Sequence, residues 1–176
     1  ERAVIAIGSV NRYDWRNPFT AAETKEVLEA YLKPRFRNFE IKLIPDFGHL
    51  RPQDHGKRWR DCLVREFGAL TALVSANPYV KKLLHQVYRI LDPVGLIPPQ
   101  KHRRLCGSQV RLAMALLSDY QDLLPPEAVR FYESRGLIAR FRKEFGLETL
   151  GLLANPQTLF KETEETEIKH VQDSWI

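Results

Sequence analysis

The sequence predicts an α/β fold: a parallel sheet with helices on both faces, followed by a C-terminal part built of helices alone. Three observations carry this. Short apolar runs alternate with amphipathic stretches over roughly the first 100 residues, the pattern of strands joined by crossover helices. The first run, AVIAIGS, holds five consecutive apolar residues and no polar face, which marks a strand covered on both sides. After Pro98 and Pro99 the strand-like runs stop and only helical patterns remain.

Each element has a local reason. The first strand, Ala3 to Ile7, ends in Gly8 and Ser9. NPFTAAETKEVLEAYLKP then carries a capping box, Thr20 with Glu23 three residues on, and sets Val27, Leu28 and Tyr31 on one helical face. Pro34 ends that helix. FEIKLIP is a second strand. A polar loop containing DFGHL leads to a helix expected over Gly56 to Phe67, where Trp59, Cys62, Leu63 and Phe67 share a face and Gly68 stops it. ALTALVSA is a third strand, and NPYVKKLLHQ a helix with Asn77 as N-cap and Pro78 in its first turn. VYRILDPVGLI is a fourth, imperfect strand. Three helices follow: one opened by Ser108, one after Pro125 and Pro126 that ends at Gly136, and one through Phe145.

The chain of 176 residues is long enough for one domain with a full core. We expect that domain over residues 1–153, with its helical part starting near 106, and an acidic tail over 154–176. The 27 basic and 22 acidic side chains give a net charge of +5. The excess positive charge lies ahead of the tail, so the body suits anionic partners such as nucleotides, phosphorylated metabolites or nucleic acid. Nucleic acid is the weakest of these, because the basic residues are scattered and no RRM, KH or helix-turn-helix signature occurs. No apolar run approaches the roughly 18 residues of a membrane span, and no signal peptide is visible. Only Cys62 and Cys106 occur, too few for a disulfide framework, which fits a cytoplasmic setting. The five histidines show no metal-ligand spacing.

Two stretches join strand ends or loops to capped helices in the way anion sites do. In SVNRYDWRNPFTAAE, Arg12 and Arg16 lie beside a helix N-terminus, where guanidinium groups can grip phosphate through paired hydrogen bonds. The alternative is a solvated loop with a well-made cap. In LCGSQVRLAM, Gly107 lets a ligand approach the backbone, Ser108 caps, and Arg111 projects from the first turn, so an oligophosphate would fit. Gly-Ser before an amphipathic helix is also plain architecture. Trp59 could stack on a nucleobase or nicotinamide, or pack as a core residue of its helix.

Taken in order, IAIGSVNRYDWRNPFTAAE, VSANPYVKKLL, CGSQVRLAM and LLPPEAV resemble successive landmarks of the nicotinamide-nucleotide adenylyltransferases, particularly the archaeal-type branch of the H-x-G-H nucleotidyltransferase superfamily. The resemblance covers roughly residues 2 to 145. It implies a Rossmann-like domain that joins nicotinamide mononucleotide to the AMP part of ATP, giving NAD and pyrophosphate by in-line attack without a covalent intermediate. Mg2+ would accompany ATP. By motif, Arg16 and Arg111 would be the catalytic arginines. Gly8, Ser9, Gly107, Ser108 and Arg111 would face ATP. Trp59, Arg16, Asp46 and Asn77 would face the mononucleotide. Related enzymes are often homo-oligomers, and the sequence leaves the oligomeric state open. Cys106 and Ser108 stand where the family pattern has Ser and Thr.

The family begins with a central strand running into G-x-F-x-P-x-H-x-G-H, and nothing ahead of Ala3 supplies it. We therefore expect the natural protein to carry an upstream segment of some tens of residues, and the transferase reading holds if that segment supplies H-x-G-H. Without it, the sheet should divide between the strands at Ala3–Ile7 and Leu70–Ser75. DFGHL resembles H-x-G-H-L with Asp46 in place of the first histidine. It follows the second strand and lacks the preceding pattern, and Arg51 and Pro52 interrupt before the next helix, so His49 reads as a loop residue. Asp46, at the carboxyl end of a parallel strand, could still face the cleft. Other readings stay open: a non-catalytic nucleotide-binding or regulatory module, or a transferase for another phosphorylated acceptor such as nicotinate mononucleotide or phosphopantetheine.

Overall fold

The computed structural model describes residues 2–101 and 105–153. The acidic tail expected over 154–176 lies outside the described residues. Strand β1 (Ala3–Ile7) pairs in parallel with β2 (Phe39–Leu43), from Ala3 opposite Phe39 to Ile7 opposite Leu43. The pairing runs on as Ile44 N–H donates to Ile7 O (2.8 Å) and Val10 N–H to Ile44 O (3.3 Å). Helix α1 (Ala21–Leu32) connects the two strands. Its capping box is formed as the sequence predicts: Glu23 N–H donates to Thr20 Oγ1 (3.3 Å), and Thr20 N–H to Glu23 Oε2 (2.9 Å).

Helix α2 (Pro52–Phe67) leads to β3 (Leu73–Val74), and α3 (Pro78–Leu84) to β4 (Ile90–Leu91). β3 and β4 are again parallel, with Leu73 opposite Ile90 and Val74 opposite Leu91. Asn77 caps α3 as expected, accepting from Tyr79 N–H (2.8 Å) and Val80 N–H (3.3 Å). One core cluster, Ile44, Leu63, Leu84 and Tyr88, has Leu73, Ile90 and Trp59 packed against it, so residues of both strand pairs lie on α2 and α3.

Several expectations need correction. Among the described residues the sheet is not continuous: β1–β2 and β3–β4 are separate two-stranded sheets, divided where the sequence reading expects a break. β1 is not fully buried, since Ala3 and Ala6 are exposed and only Ile7 is enclosed, as fits a strand with a neighbour along one edge. The run ALTALVSA yields only a two-residue strand, and Val74 stays 55% exposed for want of a second neighbour. Arg51 and Pro52 do not interrupt before α2. Arg51 is its N-cap and Pro52 occupies the first turn, where the missing N–H of proline costs nothing.

The remainder is helical: α4 (Gly107–Leu116), α5 (Tyr120–Leu123), α6 (Pro126–Ser134), α7 (Leu137–Phe141), a wide turn over Arg142–Gly146, and α8 (Leu147–Leu153). Ser108 does not cap α4. Cys106 does, because the Gln109 side chain reaches back to accept its N–H (3.2 Å), which moves the cap two residues earlier. The second core cluster, Met114, Ala115, Tyr120, Ile138 and Phe141, takes in Phe19 and Val110 at its edge. Three arginine–glutamate pairs tie the α1 region to the helical part: Arg35 to Glu127 (2.8 Å), Arg135 to Glu26, and Arg140 to Glu23 (2.7 Å). No helix among the described residues is long and apolar enough to cross a membrane.

Candidate functional site

A cavity of about 330 Å³ opens at the carboxyl end of β1. Ile7 to Val10 line one side, the Arg16–Phe19 loop and the start of α1 a second, and Gly107, Val110, Arg111 and Met114 of α4 a third. Tyr132 of α6 also lines it; its ring stacks on Phe19 at 4.6 Å, and burial pushes its hydroxyl pKa up to about 12.

The loop between β1 and α1 is shaped by its own polar residues. Asp14 Oδ1 accepts from the N–H groups of Arg16 and Asn17, both at 2.9 Å, and from Asn17 Nδ2 at 3.1 Å. This Asx-type turn fixes the segment just ahead of the cap at Thr20. Tyr13 anchors the loop to the helical part, packing edge-on against Phe145 at 5.2 Å and hydrogen-bonding Glu144. At the other end Ser9 is buried with a φ of +55°, a left-handed conformation that serine adopts at a cost of order 1 kcal/mol or more. Strain of this kind concentrates at ligand sites, and Ser9 lines the cavity. A Cβ on Gly8 would meet no atom within 4 Å, so packing does not demand glycine there.

Two guanidinium groups border this space without an ion pair to a carboxylate among the described residues. Arg111 has its Nε fully covered and unbonded. Burial pushes its pKa down from the usual arginine value and the charge of Arg16 adds to that, while Cys106 and the Asp14 carboxylate push it back up in part. Among the described residues neither Arg16 nor Arg111 forms an ion pair, whereas Arg12, Arg35, Arg60 and Arg140 each have an acidic partner. Both unpaired groups instead lie over one indole, Trp15: Arg16 Cζ is 5.2 Å and Arg111 Cζ 5.5 Å from the ring centre. Gly107 makes room for the second of these, since a Cβ there would stand 2.9 Å from Arg111 Nη1.

Of the residues expected to face ATP, Gly8, Ser9, Gly107 and Arg111 line the cavity, as does Arg16. Ser108 does not line it; its Oγ lies 3.0 Å from Cys106 Sγ. Of those expected to face the mononucleotide, Asp46 stands beside the cavity, 3.5 Å from Ser9 Oγ and paired with Arg12 at 3.4 Å. Arg12 is thus engaged outside the cavity wall. Gly48 N–H donates to the Asp46 carboxylate within DFGHL, while His49 is exposed. Trp59 packs on the α2–α3 core, and Asn77 is buried at the cap of α3; neither lines the cavity. Sequence reading missed Trp15 and Tyr132. A signal for Trp15 was present in its position between Asp14 and Arg16, in a turn that a carboxylate and an asparagine close.

No protein-family model matches the chain, and no curated protein matches it.

Proposed function

We propose that the cavity at the end of β1 binds the phosphates of ATP and that the protein transfers an adenylyl group from ATP to nicotinamide mononucleotide, giving NAD and pyrophosphate. The observation that carries the phosphate half is Arg111, a half-buried arginine whose Nε is covered and unbonded and which forms no ion pair among the described residues, beside the exposed Arg16 on the same cavity wall. An unpaired charge withdrawn from water is costly unless something of opposite sign completes it, and an oligophosphate does so. The ordered motifs from IAIGS to LLPPEAV support the transfer reaction and a Rossmann-like reading of the fold, because they match the nicotinamide-nucleotide adenylyltransferase pattern.

In this reading Arg111 and Arg16 neutralise charge that builds on pyrophosphate as it leaves, and the amides at the start of α4 accept part of the same charge. No group on the protein needs to form a bond to phosphorus; holding two anions in line supplies the rate. In this reading Mg2+ enters with ATP as the MgATP substrate. Incubation of the full chain with MgATP and nicotinamide mononucleotide should yield NAD and pyrophosphate in equal amounts. MgATP binding without NAD would favour the second reading, a nucleotide-binding module without turnover. That reading draws on His49, which stands exposed outside the cavity.

A further inference from the structure

Several arginines of this protein lie over aromatic rings, and they differ in whether a carboxylate also meets their charge. Arg140 is gripped on both terminal nitrogens by Glu23, at 2.7 Å each, and Arg35 by Glu127 at 2.8 Å; each also lies over a tyrosine ring, Tyr13 and Tyr31, but its charge is already met by a carboxylate. Arg16 and Arg111 have the aromatic contact, both with the Trp15 indole, and among the described residues no ion pair beside it. The difference matters chemically. A carboxylate neutralises a guanidinium and occupies its in-plane N–H groups. An aromatic face attracts the cation through the ring quadrupole and leaves those N–H groups directed outward. It also offsets the repulsion between two like charges, a repulsion visible in the downward push that Arg16 exerts on the Arg111 pKa.

We infer that Trp15 is a positioning residue that gathers Arg16 and Arg111 into a single oligophosphate clamp, keeping both cations in place and both sets of donors free. This rests on the phosphate reading above and deepens it: by holding the two guanidinium groups side by side, Trp15 makes the site prefer linked phosphoryl groups over a lone phosphate. The loop is built for the task. Asp14 fixes the backbone on either side of Trp15 through its bonds to Arg16 and Asn17, and the covered Arg111 Nε turns no donor toward another protein group. Trp59, the other tryptophan among the described residues, packs on the α2–α3 core and belongs to a different part of the molecule.

Three proteins test the inference by calorimetric titration with inorganic tripolyphosphate and orthophosphate: the wild-type full chain, Trp15→Leu and Trp15→Phe. Wild type should prefer tripolyphosphate strongly. Trp15→Leu should weaken tripolyphosphate about tenfold and narrow the preference, and Trp15→Phe should restore most of it because a ring face returns. A fourth sample, wild type carrying trifluorotryptophan, keeps shape and fold while draining the ring quadrupole, and its affinity should fall several-fold. Unchanged affinity in the fluorinated protein, or equal loss in Trp15→Leu and Trp15→Phe, overturns the role for Trp15. Absence of any tripolyphosphate binding by wild type instead sinks the phosphate reading on which the inference stands, so the two failures are distinguishable.

Discussion

Replacing Arg111 with Met should make the ligand-free protein more stable while it cripples phosphate binding. The guanidinium sits at the wall of the cavity with its Nε covered and unbonded. Leaving a buried donor unsatisfied costs about 1–3 kcal/mol. The contact with Trp15 returns about 1 kcal/mol. Methionine fills similar length with apolar atoms beside Val110 and Met114, so the net change should be a gain of about 1 kcal/mol, or roughly 2–4 °C in Tm for a domain of this size. The same change removes charge-assisted hydrogen bonds to phosphate worth about 1.5–3 kcal/mol, a loss of about ten- to hundredfold in affinity. Thermal unfolding followed by circular dichroism gives the first quantity and calorimetry with tripolyphosphate the second. A destabilised Arg111→Met protein that binds tripolyphosphate as wild type does would refute the reasoning, because Arg111 would then be a structural group.

Gly107→Ala places a Cβ 2.9 Å from Arg111 Nη1, so the guanidinium must move; tripolyphosphate affinity should drop about three- to tenfold, with Tm equal or slightly raised because alanine is the better helix former. Unchanged affinity in that variant would count against a fixed Arg111 pose. The Glu23–Arg140 pair sets a pH signature. Arg140 holds the Glu23 carboxyl down from 4.5 to about 2, so the pair contributes fully above about pH 5 and its contribution disappears as pH falls toward 2. Glu23→Gln should therefore cost about 1–3 kcal/mol at pH 7, with denaturant midpoints converging on wild type near pH 2; a gap that stays constant over that range would contradict it.

Much of the local structure was legible because its causes are local. Thr20 and Glu23 lie three residues apart, and their capping box forms as read. Asn77 before Pro78 caps α3 for the same reason. Parallel pairing of β1 with β2 followed from an apolar run, a capped helix and a second apolar run. Cap positions were less legible where side chains compete: Gln109 rather than Ser108 decides where α4 begins. Strand length was not legible from ALTALVSA, because a strand extends only as far as a neighbour bonds to it, and β3 has β4 along two residues.

The candidate site divides in the same way. Arg16, Gly107 and Arg111 were singled out because each stands at a helix start, and the structure brings them to one cavity. Trp15 carries no periodic signal, and its second partner lies 96 positions along the chain, so only the folded structure joins Arg16 to Arg111 through one ring. Trp59 drew attention through two flanking arginines, yet its helical face sends it to the core. Arg12 looked equivalent to Arg16 until Asp46, brought near by the β1–β2 pairing, took its charge.

Calorimetric titration of MgATP into the full chain, at low and at moderate salt, tests the phosphate site most directly. One site per chain is predicted, with affinity that weakens as salt screens the arginines and that vanishes in the Arg16→Met, Arg111→Met double variant. No heat of binding to wild type, or equal affinity in the double variant, would contradict it.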